Sequence, residues 1–305
     1  MTRPARAALT PKATAAVAVM GAAVLFGTTG TFRELLAPGA PGPGVAALRL
    51  LVGAGGLVAF VMWRGDGAAL RALWRRPVVW VMGAAVAGYQ AFFFIGTDRT
   101  GVAVAALIAL GSAPFLSGLL GWALREGAPG WTWALSTAIA VLGLGLLVAG
   151  SLTTGDPLGM LAALAAGACY AVFTVVGVGL AREGYSGSAV LASSFALGAV
   201  ALLPAVVLSA WWLSPGGLAL TLWLGIVTTT VAYLLFGVGL RVLQPGHIAT
   251  LTLLEPAVAT VLGVLVLAEP ISAAGWTGCL LVFGALALLA VTENRRPVVD
   301  EEVLA

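Results

Sequence analysis

Charge is scarce in this chain. Only 9% of its 305 residues are Asp, Glu, Lys or Arg, against about a quarter in an ordinary soluble domain. Hydrophobic residues make up 61%, and mean hydropathy is +1.07. So few charges cannot cover the surface of a water-soluble fold of this length. Cysteine is scarce too. Cys169 and Cys279 both lie inside apolar stretches, which argues against a disulfide framework or a thiolate metal site. There is one histidine, His247, and no His-Glu-x-x-His pattern, so no metal site is expected. No Gly-x-x-x-x-Gly-Lys-Ser/Thr sequence occurs, so the chain does not hydrolyse ATP by itself. No cofactor and no enzymatic activity are expected. The 41 glycines follow no triplet period, which excludes collagen.

What the sequence has in abundance is apolar runs. Windows of about twenty residues predict ten spans, at 14–35, 43–63, 77–97, 101–124, 131–150, 157–180, 188–211, 217–240, 246–268 and 272–292. Backbone hydrogen bonds must close internally in lipid. Each run is longer than a barrel strand and apolar on every face. The predicted fold class is therefore an all-α polytopic membrane protein. The first span follows Arg3, Arg6 and Lys12 as in a signal peptide. No convincing small-x-small cleavage site follows, and Arg33-Glu34 comes next, so this span is read as retained.

The arginines set an orientation. With the N-terminus in the cytoplasm, that side holds Arg3, Arg6, Lys12, Arg64, Arg71, Arg75, Arg76, Arg125, Arg182, Arg241, Arg295 and Arg296, twelve in all. The other side holds two, Arg33 and Arg99, and Arg49 lies within a span. The positive-inside rule then places both termini in the cytoplasm of a plasma or inner membrane, with residues 293–305 as a cytoplasmic tail. The formal charge of +3 reflects topology and attraction to anionic membrane lipid, not a nucleic-acid surface.

The chain repeats itself. At an offset of 142, Gly83 meets Gly225, Phe94 meets Phe236, Arg99 meets Arg241 and Pro114 meets Pro256. Glu126 meets Glu269 one residue later, and Gly53 meets Gly198 at 145. These matches divide the chain into five-span repeats at 14–150 and 157–292. Five is odd, so the second copy enters the membrane inverted, an architecture shared by many secondary transporters. The pairs Gly118 and Gly121, Gly143 and Gly145, and Gly237 and Gly239 are candidate close helix contacts.

Leu254-Glu255-Pro256-Ala257-Val258, Leu267-Ala268-Glu269-Pro270, Gly111-Ser112-Ala113-Pro114 with Arg125-Glu126, and Tyr233-Leu234-Leu235-Phe236 with Arg241 resemble the EamA-type permeases. These form the ten-helix branch of the drug/metabolite transporter superfamily. The resemblance covers about 14–292. It implies a central cavity lined by spans 1, 3, 4, 6, 8 and 9, with spans 5 and 10 peripheral. It also implies transport, often outward, of amino acids, other metabolites, nucleosides or toxic compounds.

Ionisable and polar groups at membrane depth are the candidate site. Glu255 lies about 13 Å into span 9 at 1.5 Å per residue, near mid-membrane. It either binds a cationic group or a proton, or is tied into helix packing. Arg49 is a candidate partner for Glu255 or for a substrate carboxylate, or it snorkels outward. Gln90, Tyr89, Tyr233, Tyr170 and Thr229 are candidate cavity groups. For Thr229 and its neighbours, hydroxyl bonds to the helix's own carbonyls compete with that role. His247 is a candidate proton sensor or an interfacial residue. Pro114, Pro256, Glu126 and Glu269 are read as structural. Trp133 and most other tryptophans are assigned to the interfaces. The pairs Arg33-Glu34, Arg125-Glu126 and Arg182-Glu183 are read as solvated loop charges.

The sequence thus points to a secondary transporter of small molecules, working by alternating access as one half rocks on the other. It would export amino acids or related metabolites, coupled to protons or by uniport, with no oligomer required. The alternatives are multidrug efflux and a non-transport membrane scaffold.

Overall fold

The computed structural model describes residues 10–126, 130–149, 156–207 and 210–295. Arg3, Arg6, Pro129, Arg296 and the tail beyond Arg295 lie outside the described residues. Ten helices are long and apolar enough to cross a membrane. They are α1 (Pro11–Leu36), α2 (Gly42–Trp63), α3 (Pro77–Thr100), α4 (Val102–Ala123), α5 (Trp131–Val148), α6 (Pro157–Arg182), α7 (Gly187–Val206), α8 (Pro215–Leu240), α9 (Pro245–Leu267) and α10 (Ala273–Thr292). A short amphipathic helix, Gly67–Trp74, joins α2 to α3 and buries Leu70 and Leu73.

Sequence chemistry sets the helix ends. Proline opens α1, α3, α6, α8 and α9, where its missing N–H costs nothing and its fixed φ suits a first turn. Thr10, Asp156 and Ser214 each accept a backbone N–H of the following turn, as N-caps do. The Asp156 carboxyl also accepts from Arg99 at 2.6 Å, and these hydrogen bonds hold it below the usual carboxylate range. α4 and α9 stop alike. Arg125 (φ 61°) and Ala268 (φ 55°) turn left-handed. The next residues, Glu126 and Glu269, return their N–H groups to Gly121 and Gly263 at 2.7 and 3.1 Å. These residues are repeat partners, so the internal repeat is written in the backbone as well as in the sequence.

The repeats interlock. Under the inversion α2 corresponds to α7, and α8 to α3. A Cβ on Gly53 of α2 would fall on Thr229 of α8, and one on Gly225 of α8 would fall on Val52. Likewise Gly198 of α7 meets Val86 of α3, and Gly83 meets Leu197. One helix crossing is thus built twice from the two glycine pairs that the repeat aligns. α5 crosses α10 where a Cβ on Gly143 or on Gly278 would meet the other's carbonyl. α6 packs on α3 and α4, while α1 packs on α8 and α9. The substantial helix groups therefore draw on both repeats, and neither sequence half forms a separate body.

Several local expectations change. Gly118, Gly121, Gly237 and Gly239 sit at close contacts, but a Cβ on Gly145 would meet open space. Trp133 is 7% exposed, because Gly246 leaves room for its ring. Among the Arg-Glu neighbours, Glu126, Arg182 and Glu183 pair with residues of other loops while staying partly exposed. Arg182 binds Glu126 at 2.8 Å, and Arg76 binds Glu183.

The glycine crossings carry a prediction. Gly53→Val and Gly198→Val should each cost about 1–3 kcal/mol by overpacking, lowering the thermal unfolding midpoint and folded yield in detergent. Gly55→Val, whose Cβ meets nothing, should leave both within error.

Candidate functional site

The site begins with a proline. Pro256 has no N–H, so the ladder of α9 loses a bond one turn before it. The helix runs as Pro245–Leu251 and Leu254–Leu267. Between them the bonds tighten to three-residue spacing, Leu253 N–H to Thr250 and Glu255 N–H to Thr252, both 3.0 Å. Glu255 thus stands in the first turn of the second half-helix, where the helix dipole favours a carboxylate.

The two halves of α9 pack on different neighbours. The first lies on α4, with Pro245 against Gly121 and Gly246 against Gly118. The second lies on α1, where Gly27 admits the Glu255 carbonyl and Val258, and on α10. A cavity lies beside the break. In α4 the matching Pro114 sits within a continuous helix, and Ala113 occupies the position of Glu255. Only one repeat supplies a carboxylate.

Glu255, Arg49, Tyr89, Gln90, Tyr170 and Tyr233 all line this cavity. The resemblance implied six lining helices. The structure adds α2, through Arg49 and Leu50, and α7, through Phe195, while α5 and α10 contribute nothing. Tyr233 packs within 4.3 Å of Phe195, 5.0 Å of Phe26 and 5.6 Å of Phe236, measured between ring centres. This aromatic layer floors the cavity toward the arginine-rich end. Phe26 and Phe195 escaped the sequence reading because single phenylalanines in apolar helices carry no pattern.

Thr229 and His247 lie outside the lining. Thr229 is fully buried against Gly53. Its hydroxyl donates to the Leu224 carbonyl at 2.8 Å, five residues back, within a π-helical stretch Trp223–Val231. Thr230 donates to Gly225 and, across the interface, to Gly53. Hydroxyls that expectation sent toward a substrate thus serve helix geometry and packing. His247 is 2% exposed and packs on the Trp133 ring where α9 meets α4 and α5. Neither residue is exposed at an interface.

Two features of the lining bear on chemistry. Among the described residues the ion pairs are Arg76–Glu183, Arg99–Asp156 and Arg182–Glu126. Arg49 and Glu255 therefore share a cavity without pairing, and the Arg49 Nε is buried with no hydrogen-bond partner. Second, the Thr252 hydroxyl donates to the Ala249 carbonyl at 2.8 Å. Its one proton is spent there, so the Tyr170 hydroxyl donates to Thr252 at 3.1 Å. Tyr170 thereby ties α6 to the break in α9.

A family model described as "EamA-like transporter family" matches residues 13–149 and again 157–291. The chain belongs to that family. The double match agrees with the two repeats. "Uncharacterized transporter YwfM" of Bacillus subtilis (strain 168) is 33% identical over 282 residues, covering 91% of this chain and 94% of that protein. A solved structure titled "Crystal structure of protein" superposes with a TM-score of 0.79 at 23% identity, covering 92% of this chain and 98% of that one. The fold is shared with it. As an EamA-like transporter the chain is a multi-pass membrane carrier of small molecules, not an enzyme.

The hydroxyl chain at the break yields a prediction. Tyr170→Phe should lower stability by about 1 kcal/mol, the ordinary net value of one hydrogen bond. Thr252→Val should cost more, about 2–3 kcal/mol, because it leaves both the Ala249 carbonyl and the Tyr170 hydroxyl unpaired. Thermal unfolding of the purified variants measures the order.

Proposed function

We propose that this transporter exports zwitterionic small metabolites, amino acids foremost, across the plasma or inner membrane. One observation carries the reading. A guanidinium and a carboxylate, Arg49 and Glu255, line the same mid-membrane cavity without pairing to each other. Two opposite charges held apart in a poorly solvated space are costly unless a ligand joins them. An α-amino acid brings the complement of both. Its carboxylate accepts from Arg49, with its buried unpartnered Nε. Its ammonium meets Glu255 and the ring faces of Tyr89 and Tyr233. Gln90 supplies a further polar contact, and the apolar side chain rests on the aromatic layer.

Alternating access follows from the helix groups. The first half of α9 seals against α4 at the arginine-rich end, which the charge bias assigns to the cytoplasm. The moving bodies would be α1, α8 and α9 against α3, α4 and α6, not the two sequence halves. Outward direction rests on the family resemblance. Proton coupling, if present, runs through Glu255, the one carboxylate in the lining; uniport down a metabolite gradient is the alternative. The lining is completed within one chain, so no oligomer is required. A second reading, efflux of cationic amphiphiles, is favoured by that single carboxylate among aromatic rings.

Uptake of labelled amino acids and cationic dyes into proteoliposomes, with and without a pH gradient, separates these readings. Saturable amino-acid uptake is expected. Arg49→Gln should weaken it at least tenfold, as the loss of a charged hydrogen bond worth about 1.5–3 kcal/mol predicts, with folded yield held. Glu255→Gln should remove any dependence on the pH gradient. Dye uptake that Arg49→Gln leaves intact, with no amino-acid uptake, would replace the first reading with the second.

A further inference from the structure

A second cavity opens at the arginine-rich end between the last turn of α2, the first of α7 and the end of α8. It is distinct from the mid-membrane cavity. On α2 and α7 a fully buried residue, Leu57 or Leu191, lies between the two, and on α8 the linings adjoin at Tyr233 and Leu234 without sharing a residue.

Arg64 and Arg241 both line this second cavity. Elsewhere at this end Arg76 and Arg182 are neutralised by Glu183 and Glu126. Arg64 and Arg241 have no carboxylate partner among the described residues. For Arg241 the repeat explains why. Its counterpart Arg99 pairs with Asp156 at the start of α6, but the residue matching Asp156 at the start of α1 is Thr10, which carries no charge. Asp66 also lines the cavity and accepts a hydrogen bond from Ser186 at 2.6 Å. Two unpaired guanidinium groups in one concavity favour an anion, and their forked donors suit a phosphate.

The walls narrow the choice of anion. On α8, Leu234, Val238 and Arg241 line the cavity at spacings of four and three residues, a single helical stripe. On α2, Phe60 and Arg64 stand one turn apart. Both walls are apolar toward the membrane and basic at the end, in the same register. A free phosphate would use only the rim; an amphiphile uses the whole groove. We propose that this groove binds one anionic phospholipid, its phosphodiester on Arg64 and Arg241 and its acyl chain along Phe60, Leu234 and Val238.

The test uses the full-length protein in detergent, with binding read by native mass spectrometry. The probes are phosphatidylglycerol, phosphatidylcholine of the same chains, and inorganic phosphate as competitor. One phosphatidylglycerol per chain should be retained in preference to phosphatidylcholine, and millimolar phosphate should not displace it. The double variant Arg64→Gln/Arg241→Gln should weaken binding at least tenfold. Arg71→Gln/Arg75→Gln, which removes the same charge from the same end outside the cavity, should change it by less than twofold. Equal binding of the two lipids, equal loss in the two double variants, or displacement by phosphate would each overturn the proposal. Should the first double variant fail to fold, Arg64→Lys/Arg241→Lys keeps the charge but loses the fork. It should bind measurably less, and unchanged binding would count against the site. Transport is not read in any arm, so the outcome is independent of the substrate assignment.

Discussion

Helices in lipid gain nothing by hiding apolar surface from one another, so their association depends on how closely their backbones can approach. Here that constraint is met by glycine at three crossings that tie the repeats together. Gly53 and Gly225 join α2 to α8, Gly198 and Gly83 join α7 to α3, and Gly143 and Gly278 join α5 to α10. Each crossing links helices of opposite repeats. The inverted copies are therefore woven together, and the mid-membrane cavity is enclosed by eight helices drawn from both. A cavity between two self-contained halves would have needed a different distribution of small residues.

Symmetry builds the frame, and departures from it make the site. α4 and α9 share a proline, a left-handed terminal residue and a returning glutamate N–H. Yet α9 is broken where α4 is continuous, and Glu255 stands where α4 has Ala113. The break lets one half of α9 pack on α4 and the other on α1. It also places the carboxylate at a half-helix N-terminus beside the cavity. Arg49 has Ser194 as its repeat counterpart, so both charged groups of the cavity are unique to one repeat.

Charge is organised by depth. At the ends of the helices arginines find carboxylates across loops, pairs that are partly exposed and individually weak. In the middle, Arg49 and Glu255 are held in common surroundings without pairing. Arg64 and Arg241 stand between these cases, basic groups at an interface with an apolar groove beneath them. The same residue type thus serves topology, packing or recognition according to what lies within its reach.

The sequence alone determined the ten spans, the helical class and the inverted repeat, because span length, lipid's intolerance of unpaired backbone and an odd number of helices leave no other solution. It also picked out Glu255, Arg49, Gln90 and the tyrosines, since polar groups at membrane depth are costly enough to stand out. Only the tertiary structure decided which of them meet. Thr229 and Tyr170 look equivalent as hydroxyls on helices, but a π-helical stretch turns the first onto Gly53 while the second reaches Thr252 at the break. His247 looks interfacial from its place at the start of α9, yet the glycines of α4 and α9 let Trp133 cover it. The aromatic floor and the unpaired state of Arg49 depend on side chains brought together from distant helices. Periodicity along one chain carries no record of such meetings.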